Sequence, residues 1–183
     1  MKNTIVISAF PCCGKTTAFK KLLQEGYSVW DSDSSYFNWI YKKTAYVDGL
    51  SVKDKKERVR NPEFPYNYIE HIKSSLGKVD IIFVSSHEEV RNALLEEGIH
   101  FITAYPSKEM LNEWVGRAYT RGSGIDFCDM IINNWDNWIN EIEEDYKKYP
   151  LKFMTCKLSY NTYLNLYSFC KSFVIPTYIR KDN

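Results

Sequence analysis

The sequence predicts an α/β protein in which helices wrap a parallel β-sheet. Short apolar runs alternate with helical patterns along the chain, and this alternation is typical of parallel strands joined by helical crossovers. Gly26, Gly77 and Gly98 each fall where a predicted helix is followed by the next strand, which is the position of a left-handed C-terminal cap. We expect a single domain over residues 1–183, because a chain of this length buries a sufficient core without disulfide bonds.

Five apolar runs are the strand candidates. The first, residues 4–8, has the sequence Thr-Ile-Val-Ile-Ser. Each later run is preceded by a helical pattern, so the connections are long enough for the crossovers that parallel strands need. The later runs are residues 28–30, 79–84, 100–104 and 151–158.

Helical periodicity and capping signals place helices between these strands. Residues 15–25 predict a helix, because Phe19, Leu22 and Leu23 lie on one apolar face of it. A short helix is expected over residues 36–41, directly after the second strand.

Three longer helices are predicted further along the chain. Residues 86–89, Ser-His-Glu-Glu, form a capping box for a helix to residue 97, and Ser107 is the expected N-cap of a helix to residue 121. A long helix is predicted over residues 125–149 from apolar residues at steps of three or four, which favour core packing over a ligand site. These residues are Phe127, Ile131, Trp135, Trp138, Ile142 and Tyr146.

The most specific motif lies in residues 9–17, directly after the first strand. Its sequence fits the pattern of a small residue, four free positions and Gly-Lys-Ser/Thr, with Ala9 where glycine is commonest. In such a loop, backbone N–H groups at the start of a helix face phosphate oxygens. Gly14 allows close approach, Lys15 carries charge to the terminal phosphates, and the Thr16 hydroxyl is the expected Mg²⁺ ligand. The predicted nucleotide-binding residues are Ala9, Pro11, Cys12, Cys13, Gly14, Lys15, Thr16 and Thr17.

A nucleoside triphosphate is therefore the expected ligand, and an ordinary strand-to-helix turn is the competing interpretation. Two of the five cysteines, Cys12 and Cys13, lie in this loop. Their position beside a helix N-terminus and Lys15 favours a lowered thiol pKa, and redox control is the alternative interpretation. The preferred interpretation is that they are small side chains filling free loop positions. An odd number of cysteines without paired spacing indicates reduced thiols and argues against a zinc site.

The charge balance limits the expected partners. With 24 Lys and Arg against 23 Asp and Glu, the chain has no broad electrostatic footprint for duplex nucleic acid or an anionic membrane. No signal peptide precedes the first strand, and no apolar run is as long as a membrane span, so a cytosolic location is expected.

Polar residues follow the second and third predicted strands, where the ends of parallel strands line a ligand crevice. Asp31 and Asp33 follow the second strand. One of the two carboxylates could hold Mg²⁺ through water while the other accepts a proton from an incoming hydroxyl. Helix capping by Asp33 or Ser34 is the competing interpretation. His87 follows the third strand and is a candidate for contacting substrate phosphate or a hydroxyl, or else a partly exposed residue without a role.

Two stretches interrupt the regular alternation. Residues 44–65 form a basic insertion in which Arg58 and Arg60 are candidates for binding the phosphate of an acceptor. Residues 112–126 form a candidate lid, in which Arg117 and Arg121 project from one helix face before a Gly-Ser-Gly joint. Guanidinium groups suit a transferring phosphoryl group, and a solvated helix face is the alternative.

With these parts in this order, the chain resembles the P-loop small-molecule kinases, in particular nucleoside monophosphate kinases and the shikimate and gluconate kinase group. The resemblance implies a P-loop NTPase-type three-layer sandwich: a parallel five-stranded sheet with helices on both faces and a small lid. It also implies Mg-ATP as the phosphate donor. Lys15 would neutralise β- and γ-phosphate charge, Thr16 would bind Mg²⁺, and Arg117 and Arg121 would be lid arginines.

The acceptor is predicted less specifically than the donor. Asp31 and Asp33 look like the Asp-x-Asp of the shikimate kinase group, whose second Asp acts on the acceptor hydroxyl. At residues 85–88 this chain has Ser-Ser-His-Glu where adenylate kinases carry Asp-Gly-aromatic-Pro-Arg. The basic insertion, in contrast, favours a phosphorylated acceptor.

The sequence thus predicts an ATP- and Mg-dependent phosphotransferase acting on a small nucleotide-like acceptor, with a nucleoside monophosphate favoured. The first alternative is a hydroxyl acceptor, such as a nucleoside, a polynucleotide 5′ end or a small hydroxy metabolite, with Asp33 as the base. The alternative from a different class is a nucleotide-binding regulatory NTPase. The chain has neither the Asn-Lys-x-Asp segment of GTPases nor an acidic pair ending the third strand.

Overall fold

A parallel sheet forms the centre of the protein. The computed structural model describes residues 3–42, 44–47, 50–53 and 57–179. The predicted insertion over residues 44–65 is described only in part, because residues 48–49 and 54–56 lie outside the described residues.

Strands and helices are numbered in chain order. The strands are β1 (Ile5–Ala9), β2 (Val29–Asp31), β3 (Trp39–Tyr41), β4 (Thr44–Val47), β5 (Leu50–Lys53), β6 (Arg58–Arg60), β7 (Ile81–Ser85), β8 (Phe101–Pro106) and β9 (Phe153–Leu158). The helices are α1 (Lys15–Gln24), α2 (Tyr66–Ser75), α3 (Glu88–Glu96), α4 (Leu111–Thr120), α5 (Ile125–Lys148), α6 (Leu166–Phe169) and α7 (Ile175–Tyr178). Short 3₁₀ turns span Ser34–Tyr36 and Lys108–Met110, and a π-helical turn spans Cys170–Val174. Among the described helices, none combines the length and the apolar character that crossing a lipid bilayer requires.

The sheet has five strands in the order β2-β7-β1-β8-β9, and every neighbouring pair is parallel. β1 lies in the middle, where Ile7 pairs with Phe83 of β7 on one side and Ile102 of β8 on the other. This arrangement confirms the predicted α/β class with a five-stranded parallel sheet. Two small antiparallel pairs, β3 with β6 and β4 with β5, lie outside the main sheet.

Both faces of the sheet are covered, because successive strand residues point to opposite sides. Ile7 belongs to a core cluster with residues of α1, α4 and α5, including Leu22 and Trp114. Its neighbour Val6 belongs to a second cluster with residues of α2 and α3, including Ile72. The central strands are therefore buried on two sides, which explains why β1 and β7 are continuous apolar runs rather than alternating ones.

The long helix lies where the periodicity predicts it. α5 begins at Ile125 and ends at Lys148, and its seam faces the core: Ile131, Trp135 and Ile142 are all buried. The ring of Phe10, at the start of the phosphate loop, packs edge-on against Trp135 at 5.7 Å between centroids. The core interpretation of the helical seam is thus confirmed for its centre.

The predicted helix over residues 36–41 is wrong. The chain forms the 3₁₀ turn Ser34–Tyr36 and then the strand β3, which pairs antiparallel with β6. The aromatic and β-branched residues of β3 favour a strand, and the arginines opposite them provide the partner. In β3, Trp39 lies 4.0 Å from the Arg58 guanidinium, measured to the ring centroid.

The capping predictions for two helices need correction. The N-cap of α3 is His87 rather than Ser86, and no side chain bonds to the first turn. Ser86 is buried, and its carbonyl accepts a hydrogen bond from Arg91 at 2.7 Å. Ser107 does precede the 3₁₀ turn that leads into α4, but its side chain makes no capping bond.

Candidate functional site

A pocket of about 900 Å³ opens at the carboxyl ends of β1, β2 and β7. Residues that the sequence predicts for the site meet around this pocket. They come from the loop after β1, the end of β2, the start of α3 and the helix α4. Those that line it are Ala9, Pro11, Cys12, Cys13, Gly14, Lys15, Thr16, Thr17, Asp31, Asp33, His87, Arg117 and Arg121.

The phosphate loop presents a set of unpaired backbone donors. Five N–H groups donate to no acceptor among the described residues, because the first backbone bond of α1 is from Ala18 to the Gly14 carbonyl. Unpaired N–H groups at a helix N-terminus attract anions, since they carry the positive end of the helix dipole. The donors belong to Cys12, Gly14, Lys15, Thr16 and Thr17.

Two left-handed residues shape this loop. Gly14 has φ +87° and precedes the first turn of α1, so the chain turns sharply from the loop into the helix. Cys12 has φ +63°, a conformation that residues other than glycine adopt at a cost of about 1–2 kcal/mol. Such strained residues concentrate at functional sites, where the surrounding contacts hold them in place.

The side chains of Thr16 and Asp31 bring two oxygen donors together at the edge of the loop. The Thr16 hydroxyl donates to Asp31 Oδ2 at 2.9 Å, which joins the start of α1 to the end of β2. A hydroxyl and a carboxylate are hard oxygen donors of the kind that Mg²⁺ prefers. The described residues contain no cluster of three or more His, Cys, Asp or Glu suited to a metal. A Mg²⁺ ion held by this pair would need further ligands, such as phosphate oxygens and water.

The Asp33 side chain caps a turn and is also exposed in the pocket. Its Oδ1 accepts the backbone N–H of Ser35 at 2.8 Å, so the carboxylate caps the 3₁₀ turn after β2. The side chain also lines the pocket and is solvent-exposed. Capping occupies one oxygen, and a carboxylate has acceptor sites on both. The capping contact and a role toward a ligand are thus compatible.

His87 faces the same part of the pocket. Burial lowers the pKa of its imidazole below the ordinary value, the positive charges of Arg60 and Lys15 lower it further, and Glu89 opposes the shift. The ring keeps 44% of its side-chain exposure, which leaves it accessible to a ligand. At pH 7 the imidazole is neutral, so one ring nitrogen can accept a hydrogen bond.

The thiol pKa of both loop cysteines is raised, whereas their position beside Lys15 and a helix N-terminus favours a lowered one. Burial raises the pKa of Cys12 more than the charges of Arg121 and Arg117 lower it. Burial also raises the pKa of Cys13, which is 1% exposed and points its Sγ toward the Ala104 carbonyl. Loss of water around a thiolate outweighs the nearby positive charges, so both side chains are neutral fillers of the loop.

The two arginines of α4 line the pocket and differ in how firmly they are held. Arg117 donates to Glu113 at 2.9 Å and to the Leu164 carbonyl at 2.8 Å. Its guanidinium also lies 4.2 Å from the ring centroid of Trp114. Arg121 is exposed and lies over Phe127, another pocket residue. Arg121 can therefore reorient toward a ligand more readily than Arg117.

Arg58 and Arg60 do not line the pocket. Both lie on β6, where Arg58 stacks on Trp39 and Arg60 forms an ion pair with Glu89. The Arg60 guanidinium also lies 4.6 Å from the ring centroid of Phe64. Their positive charges are thus already engaged beside the site.

Sequence reasoning missed several residues of the site. Asn38 lines the pocket, is 5% exposed, and has an amide oxygen with no hydrogen-bond partner among the described residues. Asn165 lines the pocket from the loop after β9, next to Leu166, whose N–H bonds to the Cys13 carbonyl at 3.0 Å. No local motif marks either asparagine.

The chain is similar at low identity to a known protein. The chain is 26% identical over 186 aligned residues to the nucleotide-binding protein FN1089 of Fusobacterium nucleatum subsp. nucleatum. The alignment covers 96% of this chain, which spans 60% of the length of that relative. No protein-family model matches the chain. The similarity and the five-stranded parallel sheet are together consistent with a P-loop NTPase.

Proposed function

We propose that the protein is an ATP- and Mg²⁺-dependent phosphotransferase that phosphorylates a hydroxyl group of a small acceptor. The observation that carries the proposal is the row of unpaired loop N–H groups beside Lys15 and the Thr16–Asp31 pair. The similarity to a protein described as nucleotide-binding supports the nucleotide half of the proposal.

The donor half of the pocket suits a triphosphate. The loop N–H groups and the Lys15 ammonium would bind phosphate oxygens. Arg121 is exposed and hydrogen-bonded to Ser123, and it would leave that contact to approach the transferred group. Thr16 and Asp31 would hold Mg²⁺, which when bound supplies positive charge to the phosphate oxygens. Positioning and charge stabilisation are the main contributions that a protein makes to phosphoryl transfer.

The acceptor half favours a hydroxyl over a phosphate. Lys15, Arg117 and Arg121 are the cationic residues among the described pocket lining, and they belong to the loop and to α4. The polar lining around the 3₁₀ turn after β2 and the end of β7 carries a carboxylate, hydroxyls, an amide and a neutral imidazole, which suit neutral ligands with hydroxyl groups. These residues are Asp33, Ser34, Ser35, Asn38, Ser85, Ser86 and His87.

In the proposed reaction, the acceptor oxygen bonds to the γ-phosphorus while the bond from that phosphorus to the β,γ-bridging oxygen breaks. Asp33 takes the proton of the hydroxyl, and the products are a phosphate ester and ADP. His87 accepts a hydrogen bond from the acceptor and helps to orient it.

A nucleoside monophosphate acceptor stays a prediction of the sequence. Its predicted phosphate ligands, Arg58 and Arg60, do not line the pocket; Arg58 stacks on Trp39 and Arg60 forms an ion pair with Glu89. A regulatory protein that binds nucleotide without transferring phosphate is the candidate from another class, since the name of the relative speaks of nucleotide binding alone.

An acceptor screen tests the proposal. ADP formation is measured with Mg-ATP and matched pairs of compounds: nucleosides and their 5′-monophosphates, 5′-hydroxyl and 5′-phosphate oligonucleotides, and small hydroxy acids. We expect stimulation by a hydroxyl compound and none by its phosphorylated partner. Stimulation by monophosphates alone would contradict the hydroxyl acceptor and favour the nucleoside monophosphate that the sequence predicts. Nucleotide binding without stimulation by any compound would favour a regulatory protein.

The Lys15→Ala variant tests the donor half. It should lose turnover by a factor of about a hundred or more while remaining folded, because it removes charge stabilisation of the transferred group. Lys20→Ala is the matched control, since Lys20 is exposed on the same helix and does not line the pocket. Equal activity of the two variants would contradict the role of Lys15.

A further inference from the structure

We propose that Trp114 is a positioning residue of the nucleotide site: its indole N–H holds the Pro11 carbonyl and thereby orients the Cys12 N–H toward bound phosphate. The inference rests on the proposed nucleotide binding. It concerns a residue of α4 that does not itself line the pocket and acts through the loop.

The contact is short and buried. Trp114 is 0% exposed, and its Nε1 donates to the Pro11 carbonyl at 2.7 Å. An indole N–H is only a donor, and when buried it needs an acceptor. Among the described residues, the Pro11 carbonyl accepts no backbone hydrogen bond, so Trp114 supplies its partner. The bond thus fixes one peptide group of the loop to α4.

That peptide group determines where a loop donor points. The bond between Pro11 and Cys12 is trans, and the C=O and N–H of a trans peptide point in opposite directions. Holding the Pro11 oxygen against Trp114 therefore turns the Cys12 N–H away from α4. This N–H has no described acceptor, and Cys12 lines the pocket. A free donor facing the pocket is what an anionic oxygen requires.

The same bond supports a strained residue. Cys12 follows directly and has φ +63°, which a cysteine does not hold without contacts that stabilise it. Trp114 is itself held in place by packing: the Arg117 guanidinium lies 4.2 Å from its ring centroid, and the Trp135 ring lies 6.2 Å away. A side chain fixed on both sides can maintain the loop in its left-handed form before any ligand arrives.

The chain contains a matched control for the decisive substitution. Trp135 is 3% exposed, and its Nε1 donates to the Lys108 carbonyl at 2.9 Å. Trp114→Phe and Trp135→Phe therefore make the same chemical change in the same core cluster, but the first removes a hydrogen bond to the phosphate loop and the second a hydrogen bond to Lys108, outside the loop. Mg-ATP affinity is measured by calorimetry, and the unfolding midpoint is measured without ligand.

We expect Trp114→Phe to weaken Mg-ATP binding about three- to tenfold, the loss that one hydrogen bond accounts for. Trp135→Phe should bind Mg-ATP with wild-type affinity, even if its unfolding midpoint falls by as much as that of Trp114→Phe. Wild-type affinity in Trp114→Phe, or an equal loss of affinity in both variants, overturns the inference and leaves the proposed function intact. Absence of Mg-ATP binding by the wild-type protein overturns both.

A measurement on the unaltered protein keeps the inference testable if Trp114→Phe fails to fold. If the bond to Pro11 favours nucleotide binding, then nucleotide binding must favour the bond to the same extent. Hydrogen exchange of the Trp114 indole N–H, followed by ¹⁵N NMR, should slow on addition of Mg-ATP by more than exchange of the Trp135 indole N–H, which reports the general stabilisation by bound ligand. Equal slowing at the two indoles overturns the inference. Unchanged exchange at Trp114 with saturating nucleotide overturns the inference.

Discussion

At the scale of single residues, Asp33 combines a capping hydrogen bond with a position in the pocket lining. Its carboxylate caps the turn after β2 through the Ser35 N–H and also faces the pocket. Asparagine is an equally good cap but cannot take a proton from a hydroxyl. Replacing Asp33 by asparagine therefore separates the two roles without disturbing the turn.

We predict that Asp33→Asn lowers turnover about 10²- to 10⁴-fold, the usual contribution of a general base, while the affinity for Mg-ATP stays unchanged. Steady-state kinetics and calorimetry on the same preparation measure both quantities. Asp33→Ala serves as the comparison, since it removes the cap as well and should lower stability in addition. If the turnover of Asp33→Asn is within a few-fold of the wild type, the carboxylate caps the turn and does not act as the general base.

The loop cysteines lead to a prediction about chemical reactivity. Because burial raises the pKa of both Cys12 and Cys13, their thiols are neutral at pH 7–8 and react slowly with a disulfide reagent. Rates of thiol modification in the native protein should fall well below those in denaturant, where all five cysteines react as free thiols. Rapid native modification at Cys13, located by mass spectrometry, would show that the loop opens or that its thiol is activated.

At the scale of elements, a buried ion pair joins α3 to α5 beside the pocket. Arg91 of α3 has 2% side-chain exposure and donates to Asp145 of α5 at 2.7 Å. Another of its nitrogens donates to the Ser86 carbonyl, which fixes the chain directly after β7. The two helices therefore hold the pocket wall through one guanidinium group.

We predict that Asp145→Asn lowers the free energy of unfolding by about 2–3 kcal/mol, because it leaves Arg91 buried without its counter-charge. The value is below that of a fully buried pair, since Asp145 keeps 19% of its side-chain exposure. Urea unfolding measures the change. Asp136→Asn is the control, as Asp136 is an exposed residue of the same helix and should change stability by less than about 0.5 kcal/mol.

At the scale of the whole molecule, ligand binding should raise the free energy of unfolding. A ligand at about one hundred times its dissociation constant adds about 2.7 kcal/mol to the free energy of unfolding. Mg-ATP should therefore raise the unfolding midpoint, and removing Mg²⁺ with EDTA should reduce the gain. In Asp31→Asn the unfolding midpoints with Mg-ATP and with ATP plus EDTA should differ less than in the wild type, because the Thr16–Asp31 pair has lost its negative charge. A Mg²⁺ effect of wild-type size in this variant would place the ion elsewhere.

Much of the main sheet could be predicted because its signals are local. The continuous apolar run at β7 reflects burial on both faces of the sheet. The three-to-four periodicity of α5 reflects burial of one face of the helix. The strand β3 could not be predicted, since its partner β6 lies beyond a separate hairpin and the pairing is set by contacts distant in sequence.

The candidate site was predictable in the same uneven way. Lys15 and Thr16 belong to a spacing motif, and Asp31 stands at a strand end, so the sequence places them. Asn38 and Asn165 reach the pocket only through the path of their loops, which no motif encodes. Burial reverses the expected pKa shift of Cys13, and burial is a property of the packed molecule rather than of sequence neighbours.

The hydrogen bond from the Leu166 N–H to the Cys13 carbonyl has a consequence for biosynthesis. The loop leaves the ribosome early, whereas Leu166 follows the last strand of the five-stranded sheet. A nascent chain halted before Leu166 would carry the complete motif without this support. Affinity for nucleotide should therefore arise late in translation, as the carboxyl-terminal helices dock, rather than when the motif first emerges.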